Sequence, residues 1–283
     1  MGSDSDGFHL EEGSGRFAYT DAEGSTGKRL TIWYRCPAEF GRDTRVLIAL
    51  HGQDRAAAFF RDCWSSYADR ASCLVLVPEF DERSFPGGNG YNYGNVRSDD
   101  GTRVNPRGIW NYTILDRIFE RVHTATGSLR NGFTLFGHSA GGQFAHRHLA
   151  VTGGPYVELA IAANCGWYIA PDLRMPFPAG LGGLNLSEEA VIRYLEQPLI
   201  LLLGDGDTDR DDPGLSRGPE AMAQGPHRFA RGQSYFSQCE AMAEKLGAVF
   251  GWRLEVAPGV AHDDQDISNA AAVVLDRHSP RPS

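Results

Sequence analysis

Five residues near the middle of the chain constrain it most: Gly137-His138-Ser139-Ala140-Gly141. They follow an apolar run containing Phe133, Leu135 and Phe136, and they precede a segment of helical character. A G-x-S-x-G pentapeptide in that setting describes a strand delivering the serine to a tight, strained turn from which a helix leaves at once. The flanking glycines let strand and helix backbones approach where a Cβ would clash. Free N–H groups at the helix start then face the hydroxyl, so negative charge developing there is met by donors.

Around this turn, short apolar runs alternate with amphipathic stretches. Residues 30–36, 45–50, 74–77, 132–136, 157–163, 198–203 and 252–257 read as strands, with Pro78 stopping the third. Residues 56–70, 110–124, 141–150, 187–195, 234–249 and 266–277 read as helices; Ile114, Leu115, Ile118, Phe119 and Val122 show the helical spacing. Glu79 to Arg107, 169–186 and 208–232 read as irregular loops. Strand–helix alternation implies a mostly parallel sheet covered on both faces, an α/β architecture. At 283 residues the chain fits one large domain, expected over 16–283, after a disordered Gly-, Ser- and Asp-rich segment 1–15.

Composition narrows the partners. The formal charge of −9 argues against nucleic acid and anionic membranes. No apolar run is long enough to span a bilayer, and no signal-peptide pattern opens the chain, so a cytoplasmic location is expected, with a homo-oligomer left open. The five cysteines (36, 63, 73, 165 and 239) form no C-x-x-C pair, and most read as reduced, buried small hydrophobes. A disulfide between Cys63 and Cys73 is the one pairing left open. No metal site is expected. The Asp205-x-Asp207-x-Asp209 run begins like a calcium loop, but Arg210 replaces the required glycine and Ser216 the bidentate glutamate. His146 and His148 diverge on a helix.

A serine hydroxyl attacks poorly unless a base takes its proton, and the base needs an orienting acid. In an open parallel sheet such groups collect beyond the carboxyl ends of the strands. Asp207 follows the strand 198–203, and His262 follows the strand 252–257, giving the order Ser…Asp…His. Asp209 and then Asp205 are the alternative acids. Two backbone donors are also needed for an oxyanion: the N–H of Ala140, after the serine, and that of Gln53, in the loop His51-Gly52-Gln53-Asp54 after the strand 45–50.

On these residues the chain resembles the α/β-hydrolase superfamily. Gly137-His138-Ser139-Ala140-Gly141-Gly142, His51-Gly52, Gly204-Asp205-Gly206-Asp207 and Gly259-Val260-Ala261-His262 match its elbow, oxyanion loop, acid loop and histidine loop. Within it the arrangement is similar to the polyhydroxybutyrate-depolymerase-like esterases. The resemblance implies an α/β-hydrolase fold over about residues 30–278 and an acid three positions after Gly204, at Asp207. One departure is the loop 208–232, which lacks the usual early valine-proline step and keeps Asp209 open as the acid.

The expected activity is hydrolysis of a small-molecule carboxylic ester through an acyl-enzyme on Ser139, with no cofactor. Amidase, peptidase or acyltransferase chemistry would use the same triad, and a non-catalytic binding protein on the same fold is a further alternative. Tyr91, Tyr93, Trp110, Trp167 and Tyr168 lie in loops expected to ring the serine and are candidate substrate contacts. His227, Arg228 and Arg231 could clamp a substrate carboxylate or pair with the surrounding aspartates.

Overall fold

A computed structural model describes residues 10–22, 24 and 27–278. Eight strands form one sheet: β1 (Gly13–Thr20), β2 (Arg29–Cys36), β3 (Arg45–Leu50), β4 (Cys73–Glu79), β5 (Phe133–His138), β6 (Val157–Ala163), β7 (Leu199–Gly204) and β8 (Arg253–Ala257). Their spatial order is β1-β2-β4-β3-β5-β6-β7-β8. β1 and β2 join antiparallel, as do β2 and β4, and every later neighbour pair is parallel. This is the α/β-hydrolase fold that the motifs implied.

The central parallel strands β3, β4, β5 and β7 are buried on both faces, and alternate residues serve different cores. Val46, Ile48 and Leu50 of β3 enter one cluster, while Leu47 and Ala49 enter the other. The first face is covered by α4 (Tyr112–Thr126), α5 (Ala140–Thr152), α6 (Glu188–Glu196) and α8 (Arg228–Leu246). The second is covered by α1 (Ala57–Cys63), α2 (Ser65–Arg70) and α9 (Asp264–His278). Short helices α3 (Gly87–Gly90) and α7 (Pro219–Gln224) lie within loops. Burial on both faces explains why these strands read as unbroken apolar runs.

Several boundaries differ from the sequence reading. Residues 13–15, expected in a disordered segment, begin β1, where Gly13 pairs with Cys36 and Gly15 with Tyr34; residues 1–9 lie outside the described residues. Pro78 does not stop β4 but pairs opposite Ile32. Parallel pairing with β3 ends at Leu76, so only one neighbour remains and the missing N–H is tolerated. The expected helix 56–70 breaks at Trp64, whose buried indole packs edge-on against Phe136 at 4.7 Å. The segment 208–232 is not irregular throughout. Gly218 and Pro219 start α7, a proline-first signal that the sequence carries, and α8 begins at Arg228 with His227 as its cap. All five cysteines are free and buried, and burial pushes the thiols of Cys63 and Cys73 up to about 12. No helix among the described residues is long and apolar enough to cross a membrane.

Candidate active site

Ser139 stands between β5 and α5 with φ 54° and ψ −114°, a backbone conformation that side chains rarely adopt. It survives because its neighbours fix it. Its N–H donates to Ala163 O at 2.9 Å, and its carbonyl accepts from Gln143 N at 3.0 Å. Glycine is obligatory on both sides. A Cβ at Gly137 would lie 2.1 Å from Gly141 O, and one at Gly141 would lie 2.1 Å from Leu50 O.

His262 Nε2 lies 3.0 Å from Ser139 Oγ, and its Nδ1 lies 2.7 Å from Asp207 Oδ2. The loops bearing them approach because Gly204 and Gly206 leave room. A Cβ at Gly204 would stand 2.2 Å from Val260 O, and Gly206 N donates to that carbonyl at 3.0 Å. The three aspartates that compete in the sequence separate here. Asp205 accepts from Gly259 N, Asp209 is exposed and accepts from Asp211 N, and Asp207 is buried and meets the imidazole. Burial holds the His262 pKa below its ordinary value, against the raising hydrogen bond to Asp207. The ring is therefore neutral at neutral pH.

Arg228, buried, places Nη1 3.4 Å from Asp207 Oδ1 and 2.6 Å from Asp212 Oδ2. Of the two sequence readings for the cationic cluster, pairing with aspartates is what this side chain does. Arg231 donates to Gly166 O and Gly225 O, and His227 Nδ1 accepts from Ala230 N. None of the three forms a free carboxylate clamp.

The loop after β3 reaches Ser139. A Cβ at Gly52 would lie 3.9 Å from Ser139 Cβ, which brings the backbone before Gln53 against the serine. Ala140 is the first residue of α5, where backbone N–H groups lack intrahelical partners. His51 behind this loop is fully buried, and burial pushes its pKa down to about 4. Its Nε2 accepts from Phe80 N at 3.2 Å, so Nδ1 carries the proton and donates to Gly52 O at 3.0 Å.

The five aromatic candidates divide. Tyr93 and Trp167 meet edge to face at 6.1 Å and line a cavity of about 470 Å³ with Met175, Phe177, Glu220 and Ala221. Tyr91 does not. It is buried, stacks on His51 at 5.0 Å and donates its hydroxyl to His51 O. Trp110 bonds Asn105 O and packs in the core, and buried Tyr168 stacks on Tyr235 at 4.5 Å. All three are buried beneath the loops. The sequence reading missed Arg147. Its buried guanidinium lies 5.2 Å from the Tyr93 ring and 4.9 Å from the Trp167 ring, with Nε and Nη2 unpartnered. It also missed Asn164, which accepts from Gly204 N and donates to Ala261 O, tying the acid and histidine loops together. His146 donates to Gly142 O and accepts from Ile169 N, whereas His148 faces Asp116, so the two diverge as expected.

Neither a protein-family description nor a curated protein matches the chain's sequence. Solved structures do. A poly(aspartic acid) hydrolase from Sphingomonas sp. KT-1 is 38% identical, with 94% of this chain and 99% of that one aligned at a TM-score of 0.90. A poly(3-hydroxybutyrate) depolymerase from Bordetella parapertussis is 33% identical over 96% of this chain and 92% of that one, also at 0.90. An S-formylglutathione hydrolase from Agrobacterium tumefaciens shares the fold at 15% identity and a TM-score of 0.61, covering 97% and 98% of the two chains. At such identity over nearly full length, the chain belongs to the α/β-hydrolase superfamily, in the polyhydroxybutyrate-depolymerase-like group, and is a serine hydrolase.

Proposed function

We propose that the chain hydrolyses carboxylic esters through an acyl-enzyme on Ser139. The observation that carries this reading is the continuous relay from Asp207 Oδ2 through His262 to Ser139 Oγ, at 2.7 and 3.0 Å. Ser139 Oγ attacks the ester carbonyl carbon while His262 Nε2 takes its proton. The tetrahedral oxyanion is met by the N–H groups of Ala140 and Gln53. Collapse breaks the bond to the leaving alcohol, which takes the proton from His262. Water then attacks the acyl carbon, giving one proton to His262, and Ser139 recovers that proton as the acid departs. Asp207 keeps the Nδ1–H tautomer and stabilises the imidazolium. The cavity beside Tyr93 and Trp167, about 470 Å³, falls within the size range of a small-molecule site and is assigned to the acyl or alcohol group.

A second reading, cleavage of an amide, is favoured by the 38% identical poly(aspartic acid) hydrolase, since a chain of amino acids is amide-linked. The Arg147 charge behind both aromatic walls suits a substrate bearing carboxylates. Turnover of short and medium p-nitrophenyl esters and of matched anilides by wild type, Ser139→Ala, Asp207→Asn and Asp209→Asn tests both readings. The expected result is ester turnover lost by about 10⁴-fold in Ser139→Ala and Asp207→Asn and retained in Asp209→Asn. Turnover surviving in Ser139→Ala refutes the mechanism, and anilide turnover matching that of the esters favours the second reading.

A further inference from the structure

A second histidine–aspartate pair sits beside the first and takes no part in those steps. His138, immediately before the nucleophile, has a side chain only 3% exposed, and its Nδ1 meets Asp264 Oδ1 at 2.5 Å. Its ring lies 4.6 Å from that of His262, centroid to centroid, at a tilt of 45°. Asp264 follows His262 by two residues and belongs to the first turn of α9, where the helix N-terminus stabilises an anion. The same carboxylate reaches the loop after β3, its Oδ1 standing 4.0 Å from where a Cβ on Gly52 would be. One hydrogen-bonded pair thus touches the elbow, the histidine loop and the loop that carries Gln53.

Packing alone does not account for this arrangement. His138 Nε2 is buried and has no hydrogen-bond partner, a desolvation cost that an apolar side chain of similar size would avoid. Asp207 and Ser139 meet His262 only at its two ring nitrogens, which leaves the flanks of the imidazole to its neighbours. The ring of His138, 4.6 Å away, stands against one flank.

The geometry points to His138 and Asp264 as a positioning pair that holds the His262 imidazole and the Gly52–Gln53 backbone in register with Ser139. The inference rests on the proposed Ser139–His262–Asp207 reading. The charged and titratable groups acting on His262 are Asp207, Arg228, His138, Asp264 and, beyond Arg228, Asp212. Asp264 stabilises a protonated His262 and His138 opposes it, so removing one or the other moves the base in opposite directions.

The test uses Ser139→Ala, Asp264→Asn, His138→Leu and His138→Asn, the last placing an amide N–H where Nδ1 stood. Ester kcat and KM are measured for each, and the rate of Ser139 labelling by a fluorophosphonate and the pH profile of kcat/KM for wild type and the three variants that keep Ser139. Asp264→Asn and His138→Leu are expected to lower kcat and labelling about 10- to 100-fold with KM little changed, and His138→Asn to recover most of the loss. The acidic limb is expected to move to lower pH in Asp264→Asn and to higher pH in His138→Asn. If His138→Leu does not fold, the isosteric Asp264→Asn carries the test. Asp264→Asn and His138→Leu within about twofold of wild type in kcat and labelling, an unmoved limb, or His138→Asn as impaired as His138→Leu overturn the pairing. Unchanged turnover in Ser139→Ala instead overturns the underlying triad reading.

Discussion

Gly141→Ala sets two physical effects against each other. The residue lies in the first turn of α5, and helix propensity alone favours alanine by about 1 kcal/mol. The new Cβ, however, would stand 2.1 Å from Leu50 O, 2.6 Å from Leu50 C and 2.7 Å from His51 O. All three are backbone atoms of a central strand and its exit, so no side chain can swing away. Reaching an ordinary carbon–oxygen contact of about 3.3 Å demands roughly 1 Å of separation between α5 and β3. Overpacking of this kind costs about 1–3 kcal/mol, and a contact with rigid backbone belongs at the upper end. The net effect is a destabilisation of about 2 kcal/mol, or a Tm lower by roughly 4–8 °C. Catalysis suffers more, because the gap opens between Ser139 and the loop carrying Gln53. A 1 Å misplacement costs about 100-fold in kcat, equivalent to about 2.7 kcal/mol. Thermal unfolding by circular dichroism and p-nitrophenyl ester kinetics on one preparation read both quantities. A variant as stable as wild type with full kcat would refute the close approach of α5 to β3 and the assignment of that loop to the oxyanion.

Arg228→Met leaves Asp207 without its buried cation, and breaking such a pair from one side costs about 3–5 kcal/mol; chemical denaturation should show that loss, and a value under 1 kcal/mol would show Asp207 is satisfied otherwise. Because burial holds His262 below its ordinary pKa, kcat/KM should fall on the acid side with an apparent pKa below about 6.5; a limb centred above 7 would contradict a buried neutral base. Burial also keeps His51, His146 and His148 neutral, with His51 pushed down to about 4 and His148 to about 3. Unfolding at pH 5 therefore takes up protons, and stability is lost as pH falls below the unfolded histidine value. Asp116, raised to about 7 by burial, releases one proton in the same window and partly offsets them. The net slope is roughly 2–3 kcal/mol per pH unit, readable as Tm against pH; a Tm flat from pH 6.5 to 4.5 would mean these histidines are not buried neutral.

Much of the site is legible in the chain itself, for a local reason. The elbow is a contiguous signal, because the glycines at 137 and 141 and the serine between them meet one backbone requirement. The central strands are legible because residues buried on both faces must be apolar without interruption, as in Leu199–Gly204. Asp207 and His262 stand out by their positions after strands, which is a topological rule and not a local one. The edge strand β1 is not legible because one of its faces is only half-buried and the other exposed, and its alternation runs through Gly13, Ser14 and Gly15, residues that ordinarily mark a loop. The five aromatic candidates could not be told apart in the sequence because a Tyr or Trp in a loop can face the cavity or the core. Tyr91, Trp110 and Tyr168 each found buried partners that no spacing reveals.

The sequence by itself determined the alternation of strand and helix, the strained serine turn and the order Ser139, Asp207, His262 along the chain. These depend on residues adjacent in the chain or on the rule that strand ends share one edge. The tertiary structure alone decided which of Asp205, Asp207 and Asp209 meets His262. It also brought Arg228 to Asp207 and set His138 and Asp264 beside the histidine. The physical reason is range. Hydrogen bonds and ion pairs act over a few ångströms, and residues separated by 21 to 126 positions in sequence come that close only after the sheet has gathered its loops.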